Sequence, residues 1–178
     1  MNLPVRPVVV LVGAPGAGKT SVAHRLAELL GTTARDTDAD IEGSAGSSVS
    51  EIFVDHGEAY FRGLEAVAVA LALAEHDGVL ALGGGAVLDP ATREALAPHR
   101  VVLLDVGLAE SGRRVGLGVS RPLLLGNVRG QLKALLDERR PLYLAVADHV
   151  VGTDGRDVDE VADEVLAWLT PASPAGPS

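Results

Sequence analysis

The sequence predicts an α/β protein built on a parallel sheet, and three observations carry that prediction. A continuous apolar and β-branched run, Val8 to Val12, ends at a glycine-rich turn, the pattern of a strand buried on both faces. Short apolar runs recur at Val79 to Leu82, Val101 to Asp105 and His149 to Val151. The segments between them carry apolar residues at helical spacing, and such alternation implies parallel strands joined by crossover helices.

The first helix starts at Lys19, places Val22, Leu26, Leu29 and Leu30 on one face and stops at Gly31. A short segment ahead of Asp36 can form a second strand. The final helix is the clearest: Val158, Val161, Ala162, Val165, Leu166 and Leu169 share one stripe, Asp157 is the expected N-cap and Trp168 sits near the end. Residues 171–178 are Pro, Ala, Ser and Gly, a composition that cannot bury apolar area, and they are expected to be disordered. Gly116 to Asn127 interrupts the alternation with glycines, one arginine and one proline, and is the expected mobile lid. No internal repeat or linker divides the rest, so residues 1–170 are expected to form one domain.

Composition narrows the chemistry. The chain has 178 residues and no cysteine, which excludes disulfides, thiolate zinc sites and cysteine nucleophiles and suits a reducing, cytoplasmic setting. The apolar run near the start is too short for an export signal or a membrane span. A net charge of −9 argues against nucleic-acid and anionic-membrane partners, which need clustered positive charge. The basic residues are thirteen arginines and only two lysines, Lys19 and Lys133, which makes Lys19 conspicuous. The five histidines are scattered without ligand spacing, so surface or cap roles are expected for them.

Lys19 belongs to Gly13-Ala14-Pro15-Gly16-Ala17-Gly18-Lys19-Thr20, a G-x-x-x-x-G-K-[ST] phosphate loop standing between the first strand and the first helix. Loop N–H groups, including those near Ser21 where the helix begins, can donate to phosphate oxygens at the positive end of that helix. Lys19 is expected to reach the β- and γ-phosphates and Thr20 to ligate Mg²⁺. Lys133 has no Asn-Lys-x-Asp neighbourhood, so guanine specificity is not expected.

Asp36-Thr37-Asp38 follows the second strand at the sheet edge where ligands of open α/β folds bind. A bland reading makes Asp38 only a helix N-cap. Gly83-Gly84-Gly85, directly after the third strand, would let a ligand approach the backbone closely. Asp105 ends a strand as a Walker B aspartate would, but it comes late in the motif order and is read as a strand-end polar residue.

Taken in order, Asp-Thr-Asp-x-x-Ile-Glu from Asp36, Gly-Glu-x-x-Phe-Arg-x-x-Glu from Gly57, Leu-Gly-Gly-Gly from Leu82, Arg-Pro-Leu-Leu from Arg121 and Arg-x-Pro-Leu-Tyr from Arg139 resemble the shikimate kinases, and the resemblance runs from about Val8 to Val165. Leu144, Ala145 and the Gly-Leu-Gly-Val-Ser spelling of the lid depart from the family's usual residues. The resemblance implies a P-loop kinase fold, a three-layer α/β/α sandwich with a five-stranded parallel sheet and a mobile lid. It implies transfer of the γ-phosphoryl group of ATP·Mg²⁺ to the 3-hydroxyl of shikimate by a cytoplasmic monomer. It further implies that Lys19, Asp38 and Arg121 are catalytic, that Thr20 and Asp36 serve Mg²⁺, and that Gly13, Pro15, Gly16, Ala17, Gly18, Lys19, Thr20, Ser21, Arg114, Arg121 and Arg156 bind ATP. Shikimate is assigned to Asp38, Phe61, Arg62, Glu65, Gly83, Gly84, Gly85 and Arg139, with the residues at about 37–65 forming a shikimate-binding helical region. Two rivals stay open: a related kinase for another small hydroxylated acceptor, and a nucleotide-binding module without acceptor chemistry.

Overall fold

The computed structural model of the chain describes residues 5–116 and 127–171. Five strands, β1 (Val9–Val12), β2 (Ala34–Asp36), β3 (Val79–Ala81), β4 (Val101–Asp105) and β5 (His149–Gly152), form one sheet in the order β2-β3-β1-β4-β5. Every pairing is parallel, with Val10 opposite Leu80 on one side and Val101 on the other. Helices cover both sides of the sheet, the α/β P-loop kinase arrangement.

Burial follows position in the sheet. All four residues of β1 are buried because the strand has neighbours on both edges and helices on both faces, which is why its sequence shows no alternation. The edge strand β5 does alternate, with Val151 buried between exposed Val150 and Gly152. The chain leaves β1 towards β2 and β3 on one side and reaches β4 and β5 on the other. The C-terminal end of β1 is therefore the point where the strand order reverses, the place such sheets offer to ligands.

Helix α1 (Lys19–Leu30) buries Val22, Ala23, Leu26 and Ala27 and ends at Gly31, whose φ of 66° needs no Cβ penalty. Leu29, expected on this face, is 37% exposed. Ala23 and Ala27 lie on the other flank of the stripe and turn it away from Leu29. The span 37–65 becomes α2 (Thr37–Ala45), α3 (Val49–His56) and the first half of α4 (Glu58–Glu75), and the three helices share a second small core of Ile41, Ile52, Phe61 and Ala68. A 3-10 turn (Ala86–Leu88) and α5 (Pro90–Leu96) lead to β4, then α6 (Leu108–Arg114). Helix α7 (Val128–Val146) contains Pro141, and α8 (Val158–Leu169) starts at a reciprocal cap between Asp157 and Glu160 and packs on α1.

The expected lid, apart from Gly116 and Asn127, and the expected tail, apart from Pro171, lie outside the described residues. Among the described residues no helix is long and apolar enough to cross a membrane.

Candidate active site

The loop after β1 turns tightly into α1 through Gly18, whose φ of 88° places it in left-handed space. The Lys19 ammonium donates to the carbonyls of Gly13 at 2.7 Å and Ala14 at 3.1 Å. Desolvation lowers its pKa to about 8, against the opposing pull of the Asp38 and Asp36 carboxylates, and the positive charge of Arg139 lowers it further. Two contacts from α6 hold the outside of the loop: the buried Ser111 hydroxyl donates to Pro15 O at 2.7 Å, and Arg114 donates to Gly16 O at 3.1 Å.

Asp36 is the N-cap of α2, two residues before the cap position open to Asp38 in the sequence. Its Oδ1 accepts from Asp38 N–H at 2.9 Å and its Oδ2 from the Thr20 hydroxyl at 2.5 Å. The cap belongs to Asp36 because α2 begins at once after β2, leaving Asp38 inside the first turn with its side chain free to face the cleft. Asp38 Oδ1 is buried without a hydrogen-bond partner among the described residues. Desolvation first, then the Asp36 and Glu65 carboxylates, raise its pKa to about 6, with Lys19 opposing.

The glycine triplet faces these groups from the end of β3. A Cβ on Gly83 would lie 2.5 Å from Asp38 Oδ1 and 2.7 Å from Glu65 Oε2; one on Gly85 would overlap the Arg62 guanidinium; one on Gly84 would press on Pro15 at 3.2 Å and reach Arg139 at 3.6 Å. The triplet thus brings Asp38, Glu65, Arg62, Arg139 and the phosphate loop to one spot. Glu65, 3% exposed, accepts from Arg62 at 2.6 Å, and the rings of Phe53 and Phe61 lie beneath that guanidinium, 5.8 Å and 5.4 Å from its carbon. Arg139 Nε is buried without a partner among the described residues, so two unsatisfied polar groups, an acceptor and a donor, converge on this cleft.

Beside the phosphate loop lies a cavity of about 570 Å³ lined by Ala17, Gly18, Ser21, Arg114, Thr153 and Arg156 among others, a size suited to a small ligand. Arg114 is held there by Glu110, Thr153 and Gly16, and Arg156 by Glu164, Gly152 and Glu160, so both guanidiniums stand fixed at the cavity wall. Arg121 lies outside the described residues. Asp105 ends β4 in an ion pair with Arg140 at 2.9 Å.

Sequence reasoning missed three residues that hold the site together. Thr37 Oγ1 accepts from Gly83 N–H at 3.1 Å, the Tyr143 hydroxyl donates to Gly84 O at 2.5 Å, and Ser111 grips Pro15. The motifs contain Thr37 and Tyr143, but spacing alone says nothing of their partners 46 and 59 residues away.

Among the described residues no group of three or more His, Cys, Asp or Glu is arranged to hold a metal by itself. The Thr20 hydroxyl and Asp36 carboxylate do meet at the loop's edge, and hard oxygen donors of this kind suit Mg²⁺ carried in with phosphates.

Comparison with known proteins agrees with the geometry. The family model described as shikimate kinase matches residues 15–170. The shikimate kinase of Salinispora arenicola (strain CNS-205) is 60% identical over 92% of this chain and 98% of its own length, and that of Mycobacterium bovis (strain BCG / Pasteur 1173P2) is 46% identical over 95% and 97%. The solved structure of shikimate kinase from Acinetobacter baumannii in complex with shikimate superposes with a TM-score of 0.85 at 35% identity, covering 93% of each chain.

Proposed function

The chain belongs to the shikimate kinase family and is an ATP-dependent kinase acting on a shikimate hydroxyl, and on that premise we propose how its own residues bind the two substrates and move the phosphoryl group. The observation that carries the proposal is the convergence of Asp38, Arg62 and Arg139 on the glycine triplet, directly across from the phosphate loop.

Arg62 and Arg139 grip the shikimate carboxylate, for which a guanidinium fork offers two parallel hydrogen bonds. Glu65 orients Arg62 from behind, supported by the 2.6 Å contact between them, while Phe61 supports the guanidinium from below. Gly83, Gly84 and Gly85 give the ring access to the backbone. Asp38, whose raised pKa of about 6 still leaves it ionised at neutral pH, accepts a hydrogen bond from the attacking 3-hydroxyl and takes its proton as the new bond to the γ-phosphorus forms and the bond from that phosphorus to the β,γ-bridging oxygen breaks, with ADP as the leaving group. Lys19 and, from the segment outside the described residues, Arg121 neutralise the charge spread over the transferred group.

On the nucleotide side, the loop of residues 13–21, which includes Ala17, surrounds the phosphates with its backbone N–H groups, while Pro15, which has no N–H, shapes the turn. Arg114 and Arg156 flank the base, supported by their fixed positions at the cavity wall. Mg²⁺ fits Thr20 and Asp36, where it would offset phosphate charge when bound. The reading takes residues 1–170 as one catalytic domain, acting as a monomer in the cytoplasm; the cysteine-free sequence supports that compartment.

A coupled ADP-release assay with shikimate, quinate, a neutral cyclitol and no acceptor tests the proposal. ADP release with shikimate above the acceptor-free rate, and little with the cyclitol, is expected. Equal rates with the cyclitol would remove the carboxylate grip.

A further inference from the structure

The triplet between the two halves of the acceptor cleft is fixed at both ends by hydroxyl groups. At one end Thr37, fully buried and adjacent in sequence to Asp38, accepts from Gly83 N–H at 3.1 Å. At the other, Tyr143, 3% exposed and one helical turn after Arg139, donates to Gly84 O at 2.5 Å. The two hydroxyls come from different helices, α2 and α7, so the triplet is the only backbone in hydrogen-bond contact with both among the bonds of the described residues. Burial raises the Tyr143 phenol above its ordinary value, which keeps it protonated and donating.

Two consequences follow for the acceptor. Gly84 and Gly85 are joined by a trans peptide, in which the Gly85 N–H points opposite to the Gly84 carbonyl. Holding that carbonyl on Tyr143 therefore also fixes the direction of the Gly85 N–H. Neither Gly84 N–H nor Gly85 N–H donates to a protein acceptor among the described residues. The same bond ties α7 to the end of β3, and with it the distance from Arg139 to Arg62 and Asp38, which contact the same three glycines. Pro141 lies between Arg139 and Tyr143 and removes one helix N–H donor there.

We infer that Tyr143 and Thr37 are positioning residues for the acceptor: their hydroxyls clamp the Gly83-Gly84-Gly85 backbone between the helix bearing Asp38 and the helix bearing Arg139, and so set the geometry in which the carboxylated ring is held. Neither touches the ring. The inference rests on the acceptor reading given above and adds the groups through which Arg139 and the triplet act.

Steady-state kinetics with both substrates varied, on wild type, Tyr143→Phe, Arg139→Lys and the double variant, test it alongside thermal melts. Tyr143→Phe keeps the ring volume and loses only the hydroxyl. It should raise the shikimate KM by about fivefold to tenfold, the size of one lost hydrogen bond, with the ATP KM unchanged within about twofold. Because Tyr143 acts through Arg139 and the triplet, the rise in the double variant should fall short of the product of the two single rises. An unchanged shikimate KM, equal rises in both KM values, or a fully multiplicative double variant would overturn the role.

Thr37 supplies a second line that does not depend on how Tyr143→Phe folds. Thr37→Val should raise the shikimate KM selectively, and Thr37→Ser, which restores the hydroxyl, should return it to within about twofold of wild type. Failure of serine to rescue would assign the effect to packing and defeat the inference. Wild-type turnover separates the two levels: no shikimate-dependent ADP release would sink the acceptor reading itself, whereas wild-type turnover with an indifferent Tyr143→Phe would sink only the positioning role.

Discussion

Gly85 and Arg62 stand so close that a Cβ on the glycine would occupy the space of the guanidinium. The arginine cannot yield easily, because Glu65 holds it at 2.6 Å on one side and the Phe53 and Phe61 rings lie beneath it. Gly85→Ala should therefore push Arg62 out of the cleft. The shikimate KM is expected to rise by at least about tenfold, with the ATP KM nearly unchanged, in kinetics varying each substrate. A parallel change in both constants would show a wider distortion instead.

Asp38 couples activity to stability with opposite signs. Its folded pKa of about 6 lies above the ordinary value of 3.8, so the folded state binds more protons than the unfolded state between those values. The ionised carboxylate thus costs stability above about pH 6, and the cost fades as pH falls towards 4. Asp38→Asn should raise the melting temperature of the substrate-free protein at pH 8, by a free energy of at most about 3 kcal/mol, and the gain should shrink on acidification. The same variant should lose most of kcat. Melting curves at several pH values check the first claim; a gain that grows towards pH 4 would reverse it.

Lys19 is desolvated and, among the described residues, donates only to the carbonyls of Gly13 and Ala14, with Asp38, Asp36 and Arg139 as its charge neighbours. Lys19→Met should lower kcat by a factor on the order of 10³ while the protein melts cooperatively near the wild-type temperature. Rapid kinetics and a thermal scan on one preparation measure both. Loss of the fold would mean that the ammonium is a structural pin.

Ser111 ties α6 to the phosphate loop through Pro15 O. Ser111→Ala leaves that part-buried carbonyl without its donor, and the loop should loosen on the nucleotide side alone. The ATP KM is expected to rise about threefold to tenfold with little change for shikimate, and stability to fall by about 1–2 kcal/mol. Denaturant titration together with kinetics separates the two effects.

The sequence made local features legible and left distant pairings hidden. Gly13 to Thr20 and Asp36 to Asp38 could be read because a phosphate loop and an acidic turn are short, and their chemistry depends on neighbours in the chain. β1 could be read because a central strand with no exposed face carries an unbroken apolar run. By contrast, the Ser111–Pro15 and Tyr143–Gly84 bonds join residues 96 and 59 positions apart, and only the strand order β2-β3-β1-β4-β5 brings them together. Leu29 was misplaced because an apolar residue at i+3 looks as buried as one at i+4 until the neighbouring alanines show which flank faces the sheet. The cap at Asp36 was similarly hidden: it depends on β2 passing into α2 without an intervening loop, which the sequence does not announce.

The central claim is that one carboxylated ring is held by Asp38, Arg62 and Arg139 against the glycine triplet, across from the phosphate loop. The most direct measurement is a crystal structure of the protein with ADP and shikimate. The account predicts the shikimate carboxylate at hydrogen-bond distance, about 2.7–2.9 Å, from both guanidiniums and a ring hydroxyl on Asp38 facing the loop. Shikimate bound elsewhere, or with its carboxylate turned away from Arg62 and Arg139, would contradict it.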